Sequence, residues 1–510
     1  MQDRTGQVGQ GQSRNGNIAR WFPPSYGTVD YEREAVSSCI VGPSRLAGHP
    51  NASLRQIKRI AAHMIFHWEK LQRGGAFRVS MSTMICFTWP RAAFFASFVV
   101  VLALVNTPKA HGFGLPSLGV HSNHPVVVGY FPQWGIYDTQ KPYYVKTLVT
   151  NGSARRLDQI NYSQGAVGGG KCSLADPNAD LNTAFTPETS VNGQSDDPNS
   201  AFRGYFHQLQ ELKNRYPRVK VLISLEGKAS DFEEDAKPEN RRAFVASCVD
   251  MFIRGHFAPD VNKPGLFDGF DLDWESPQAA DAENFRALLE EFRRQMNAAR
   301  SGLRLSIAVD QAPEAFPGTD FAAVAKLVDQ VGVMNYDYAG PWSKTTGLLA
   351  PLFGNSRHSL SIERSIASYK RVGIPEHKLL MGVPFYGYSW EAVSSANNGL
   401  FQPGRAVHAD RPYNYIRALA EPASMYRDPR SQAPWLFDGQ TFWTYEDPVS
   451  VRWKVSYARN ERLGGVMIWE LSGDTADAEL LSTVYRSLHH PLKNKVFAKL
   501  RTTEEMVAGS

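Results

Sequence analysis

Cysteine is scarce. The 510 residues hold four, Cys39, Cys86, Cys172 and Cys248, and no CxxC pair. A zinc cluster or a dithiol redox centre needs closely spaced thiols, so neither is supported. Thirteen histidines are present, but none falls in an H-E-x-x-H spacing, which removes a common metallohydrolase signature. No metal and no cofactor is expected. A large charge of one sign is missing as well. The formal net charge is +5, and residues 1–91 carry twelve Lys/Arg against five Asp/Glu, leaving the remainder near −2. The rest of the chain therefore lacks the basic field that nucleic-acid binding requires. Long apolar runs are absent too: Ala92 to Val105 spans about 14 residues, against the roughly 20 of a membrane-crossing helix. One phosphate-loop pattern, Gly165 to Lys171, is followed by Cys172 in place of the required hydroxyl and by a Pro/Asp-rich segment in place of a helix, so it is set aside. The Asn51, Asn151 and Asn161 sequons matter only in a glycosylating host.

What is present begins with a leader. Met81 and Met84 precede Arg91, the Ala92–Val105 run and the small, polar Asn106–Ala110. A charge, an apolar core and a small-residue exit are the parts of a secretory signal peptide. Its position far from residue 1 is unusual. Residues 1–80 lack sustained periodicity and are expected to be an unstructured or over-extended N-terminus, with 81–110 as the signal peptide. An uncleaved signal anchor with a cytoplasmic tail is the competing reading. Secretion to an extracellular or periplasmic space is expected, with no stable membrane span after cleavage. Only Cys172 and Cys248 then remain, either paired or as buried free thiols.

After residue 120, eight apolar strand candidates lie near residues 126, 160, 221, 270, 306, 333, 382 and 467. Helical periodicity separates most of them, as in Phe202–Tyr216, Arg241–Ile253, Asn284–Arg300, Phe321–Leu327, Ile362–Val372 and Ala478–Leu488. Alternating strands and helices imply a parallel sheet, and eight such units suit an α/β (β/α)₈ TIM barrel. Residues 387–445 are too many for one crossover helix and are rich in Trp, Tyr and Pro. They are expected to be a small α+β insertion between strands 7 and 8 of a catalytic region spanning 120–490, with 491–510 as a tail.

The richest stretch is Phe267-Asp268-Gly269-Phe270-Asp271-Leu272-Asp273-Trp274-Glu275. Strand side chains alternate faces, so Asp271, Asp273 and Glu275 are expected on one face and Phe270, Leu272 and Trp274 on the other. Three carboxylates in file cannot all ionise at their ordinary pKa values, and such perturbed groups cluster at functional sites. An acidic edge strand facing water, or a cation site, is the bland alternative, and the flanking aromatics argue against it. Barrel chemistry sits at the C-terminal ends of strands, where Glu275 and Tyr336-Asp337 are placed.

From about Val126 to His490 the chain resembles the bacterial chitinases of glycoside hydrolase family 18. The family's D-x-x-D-x-D-x-E signature is present as Asp268, Asp271, Asp273 and Glu275, and its M-x-Y-D motif as Met334, Tyr336 and Asp337. Gly382 to Gly387 and Gly464 to Glu470 resemble its seventh and eighth strands. The resemblance implies a secreted hydrolase of β-1,4-linked N-acetylglucosamine, as in chitin or chito-oligosaccharides, that works with substrate assistance and retention. It makes Glu275 the acid and then the base. Asp273 would orient the acetamide, Asp271 would share a proton with Asp273, and Tyr336 would donate to the acetamide oxygen. Tyr130 and Ser224 would support Asp271, Asp337 would contact the sugar beside Met334, and Trp469, Trp342 and Tyr386 would line the substrate cleft. Core packing is the alternative for any single Trp, more so for Trp134 and Trp390. Asp268 faces the other way and is expected to be structural. A monomer is expected.

The chain also departs from the family. The third strand usually reads S-x-G-G-W, and here stands Ser224-Leu225-Glu226-Gly227-Lys228. Ser276 replaces an aromatic before Pro277, and Tyr388 stands where an Arg is common. Two acceptor-side stacking partners are missing, each worth about 1 kcal/mol. An endo-β-N-acetylglucosaminidase acting on N-glycans, a peptidoglycan-fragment hydrolase and a non-catalytic chitin-binding lectin-like protein therefore stand as alternatives. Retention of Glu275 favours an enzyme.

Overall fold

The computed structural model describes residues 125–354 and 359–497. The expected N-terminus and signal peptide lie outside the described residues.

Eight strands run parallel: β1 (Val126–Pro132), β2 (Gln159–Gly168), β3 (Lys220–Glu226), β4 (Gly269–Asp273), β5 (Arg304–Val309), β6 (Gln330–Val333), β7 (Leu379–Pro384) and β8 (Gly465–Trp469). Each pairs with its neighbours in chain order, and the circle closes where β1 joins both β2 and β8. Closure leaves no barrel strand with an unpaired edge. The sequences explain the burial: β1 opens on Val126-Val127-Val128, and β7 is buried at every position, as parallel strands covered on both faces must be. Helices such as Gly204–Arg215, Ala282–Ala299 and Ile362–Arg371 form the outer layer. In Ala282–Ala299 the buried face is Phe285, Leu288, Leu289, Phe292 and Met296, the 3.6-residue stripe of an amphipathic helix.

Two glycines start strands where no side chain fits. At Gly269 φ is +153°, and a Cβ would meet the Arg304 carbonyl at 1.8 Å; at Gly465 φ is +157°, and a Cβ would meet the Val126 carbonyl at 2.0 Å.

Between β7 and β8 lies a five-stranded antiparallel sheet, ordered Arg405–Pro412, Tyr386–Glu391, Phe442–Thr444, Pro434–Phe437, Met425–Arg427, with the helix Tyr413–Leu419. It has its own apolar cluster of Leu348, Trp390, Leu400, Trp435 and Phe442. This is the expected α+β insertion. A short strand, Lys171–Leu174, adds antiparallel to the end of β2. Cys172 and Cys248 are joined as a disulfide, which ties that hairpin to the end of the helix Pro238–Cys248.

Two boundaries differ from the sequence reading. β4 ends at Asp273, so Glu275 lies just beyond the strand. β6 ends at Val333 rather than Asp337. The backbone turns tightly there, with Asn335 N donating to the Val333 carbonyl and Tyr336 N to the Met334 carbonyl, each at 2.8 Å, and Asp337 is left-handed at φ +62°. Apolar pattern does not register such a turn.

Candidate active site

The acid file lies at the C-terminal mouth of the barrel. Asp271 is buried and saturated by hydroxyls. Its Oδ2 accepts from Tyr130 at 2.6 Å and from Ser224 at 3.1 Å, and its Oδ1 accepts from Ser306. These donors come from β1, β3 and β5, the strands around it. Burial raises the Asp271 pKa, and the hydroxyls pull it back.

Asp273 is different. Its Oδ1 is buried without a hydrogen-bond partner. Burial first, then the charges of Glu226, Glu275, Asp271 and Asp310, hold its carboxyl well above the usual range. Glu275 is exposed toward the mouth, yet the protein crowding its other sides, together with Asp310, raises its pKa. Asp268, the fourth acid of the motif, takes no part in this cluster. It accepts from Lys213 Nζ at 2.7 Å and from the Val221 amide at 3.0 Å, which pins the start of β4 to its surroundings.

Opposite stands the loop after β6. Met334 is half-buried against the core. Tyr336 is buried, and desolvation with Asp273, Asp337, Glu275 and Asp271 keeps its phenol protonated far above its ordinary range. Tyr386 donates to Asp337 Oδ1 at 2.6 Å. Burial lifts the Asp337 pKa to about 6.

Aromatic rings extend both ways from this centre. Trp469 is half-buried at the end of β8, 5.2 Å from the Tyr130 ring and 6.2 Å from the ring of Trp134. On the other side Tyr336, Tyr386, Tyr388 and Trp342 follow one another at 5.9, 5.6 and 5.6 Å. Trp342 is 61% exposed and Trp134 44%, an unfavourable arrangement for isolated rings but suited to stacking against sugar faces. Trp390, by contrast, is fully buried in the insertion's core.

The site thus brings together Asp271, Asp273, Glu275, Tyr130, Tyr336, Asp337, Tyr386 and Trp469. Sequence reasoning passed over several groups beside them. Asp310, one residue past β5, acts on both Asp273 and Glu275; its position at a strand's C-terminal end was the available signal. Asp410, from the insertion, bears on Asp337 and Glu470, and no local pattern marks it. Glu226 was visible as a departure but not as a neighbour of Asp273. Among the described residues no cluster of His, Cys, Asp and Glu has the geometry to hold a metal ion, and no helix is long and apolar enough to cross a membrane.

Comparison with known proteins places the chain. Residues 126–474 match the sequence model of the glycosyl hydrolases family 18. Chitinase C of Streptomyces lividans is 32% identical over 399 residues, which cover 74% of this chain and 61% of that protein. Chitinase 63 of Streptomyces plicatus is 31% identical, covering 70% of this chain and 60% of that one. The chain spans about three-fifths of the length of these relatives. Among solved structures, the catalytic domain of the psychrophilic chitinase B from Arthrobacter TAD20 superposes with a TM-score of 0.66 at 28% identity, covering 72% of this chain and 96% of that one.

Proposed function

The chain belongs to glycosyl hydrolase family 18, and from that premise we propose that it is a secreted, monomeric chitinase. It cleaves β-1,4-linked N-acetylglucosamine in chitin or its oligosaccharides with retention of configuration. The observation that carries this reading is the division of labour in the acid file. Asp271 is saturated by three hydroxyls, Asp273 has an unsatisfied buried oxygen, and Glu275 is the most exposed of the three.

Glycoside cleavage needs a proton for the leaving oxygen and a nucleophile at the anomeric carbon. Glu275 gives the proton, and burial with the nearby Asp310 raises its pKa, which favours the protonated form that the step needs. The carbonyl oxygen of the sugar's own 2-acetamido group attacks the anomeric carbon and forms an oxazolinium ion. Asp273 accepts the acetamide N–H with a carboxylate oxygen and offsets the positive charge. Tyr336 donates its phenol to the acetamide oxygen, which aims that oxygen at the ring. Glu275, now ionised, takes a proton from water, which opens the oxazolinium from the same face. Trp469 supplies an apolar floor for the distorted sugar, and Asp337, held by Tyr386, accepts from a sugar hydroxyl. Tyr130 and Ser224 hold Asp271 in place.

Release of chromogen from N-acetylglucosamine oligomers by the wild type and by Glu275→Gln tests the reading. The wild type should turn over, and the variant should lose at least 10³-fold in kcat while still binding the oligomer. Binding without turnover by the wild type would instead identify a lectin-like protein. Cleavage confined to N-glycans or peptidoglycan fragments would move the substrate class.

A further inference from the structure

Glu226 ends β3 in register with Asp273 of β4, as Ser224 is with Asp271. Ser224 reaches inward to the Asp271 carboxylate, and a strand's side chains repeat every two residues. Glu226 therefore projects to the same inner face, one strand spacing (about 4.8 Å) from Asp273. On its other flank Ser163 of β2 donates to Glu226 Oε1 at 2.5 Å. That bond occupies one carboxyl oxygen of Glu226. Asp273, the register neighbour of Glu226, carries a buried oxygen with no partner.

Two ionised carboxylates in this position would repel each other at short range in a desolvated wall. One proton between them removes the repulsion and satisfies an oxygen that is otherwise orphaned. The groups facing Glu226 offer no other relief. From β2 comes only the Ser163 hydroxyl, from β4 and its end Asp271, Asp273 and Glu275, and beyond β5 Asp310, which acts through Asp273. Lys228, two residues on, is exposed and turned out at the start of the helix Ala229–Asp235.

We propose that Glu226 is a positioning residue of the acid row, sharing one proton with Asp273 across the β3–β4 seam and thereby setting the charge against which Glu275 must ionise. The proposal rests on the hydrolase reading above and adds a fourth carboxyl to it. Burial, with Asp271 and Glu275, raises the Glu226 pKa to about 7, so the shared proton is held through the acidic range and leaves around neutral pH. As it leaves, the negative charge of the row grows and holds the proton on Glu275 to higher pH.

Two measurements test this on the whole chain. Carboxyl carbons of Asp and Glu, labelled with ¹³C, are titrated by NMR in the wild type, Glu226→Gln and Asp273→Asn. The wild-type pair should titrate in two linked steps. Asp273 should lose its proton at lower pH in Glu226→Gln, and Glu226 at lower pH in Asp273→Asn. Glu226→Gln keeps an acceptor for Ser163, and Asp273→Asn reads the same coupling from the other side should the first variant fold poorly. The second measurement is the pH profile of oligosaccharide hydrolysis. In Glu226→Gln the alkaline limb of kcat should move down by about one pH unit, roughly tenfold in rate at pH 8, with little change at pH 5 and KM within about twofold. Independent titration of the two carboxyls, or an equal loss of kcat at every pH, would overturn the proposal. The titration needs no substrate, so failure of the wild type to cleave any oligomer is read separately, against the hydrolase assignment.

Discussion

Tyr130 donates its hydroxyl to Asp271 Oδ2 at 2.6 Å, joining β1 to β4 across 141 residues of chain. The phenol sits against the Trp469 ring at 5.2 Å, so one residue touches both the acid file and the aromatic floor. Tyr130→Phe keeps the ring and removes one of three hydroxyls on a buried carboxylate. A hydrogen bond to a charged group contributes about 1.5–3 kcal/mol. A loss of roughly 10- to 100-fold in kcat is expected, with KM nearly unchanged, measured on chromogenic oligomers alongside thermal melting.

In the proposed mechanism Glu275 must carry its proton to protonate the leaving oxygen. Burial and then Asp310 raise its pKa, so the proton is held below that raised value and activity falls as pH climbs through it. Asp310→Asn removes the like charge and lets Glu275 ionise earlier. The alkaline limb of the kcat/KM profile should shift to lower pH in the variant, while the acid limb moves less. An unshifted alkaline limb would remove Asp310 from the electrostatic account.

Asp180 lies fully buried, with Oδ1 accepting from Gln133 and Tyr162 at 2.6 Å each and Oδ2 unpartnered. Desolvation raises its pKa to about 7, against about 3.9 in an unfolded chain. A folded pKa above the unfolded one means that the stabilisation is complete below pH about 4 and is lost as pH rises toward 7, by about 4 kcal/mol at most. Asp180→Asn keeps the Oδ1 acceptor and removes the titration. Relative to the wild type the variant should gain stability between pH 5 and pH 8, read from denaturant midpoints at both.

The Cys172–Cys248 bond closes a loop of 76 residues. Constraining such a loop in the unfolded state stabilises a fold by about 2–4 kcal/mol. The Cys172→Ser/Cys248→Ser variant should therefore melt several degrees lower, and dithiothreitol should lower the wild-type melting temperature while leaving the variant unchanged.

Much of the site was legible because it is written locally. Asp268, Asp271, Asp273 and Glu275 fall within eight residues, and the period of a strand sorts them without further information. Asp271 and Asp273 do share the inner face, whereas Asp268 turns outward to Lys213. The apolar alternation runs two residues past the end of the strand, because Trp274 packs on Phe232 after the ladder has ended. The pattern overruns at Tyr336 and Asp337 for the same reason: an apolar run continues into a turn that the left-handed Asp337 backbone reveals.

The sequence alone determined the eight-unit alternation, the family motifs and the residue types at each strand end, since these depend on period and spacing along one chain. The tertiary structure decided the partnerships. Closing the barrel brings Ser163, Glu226 and Asp273 onto three successive strands with one inner face, sets Ser306 and Tyr130 on Asp271, and joins Cys172 to Cys248. Registers between strands far apart in sequence arise from the closure of the whole sheet. The pKa values that this crowding produces follow from desolvation and from distances in space, which no local stretch of residues contains.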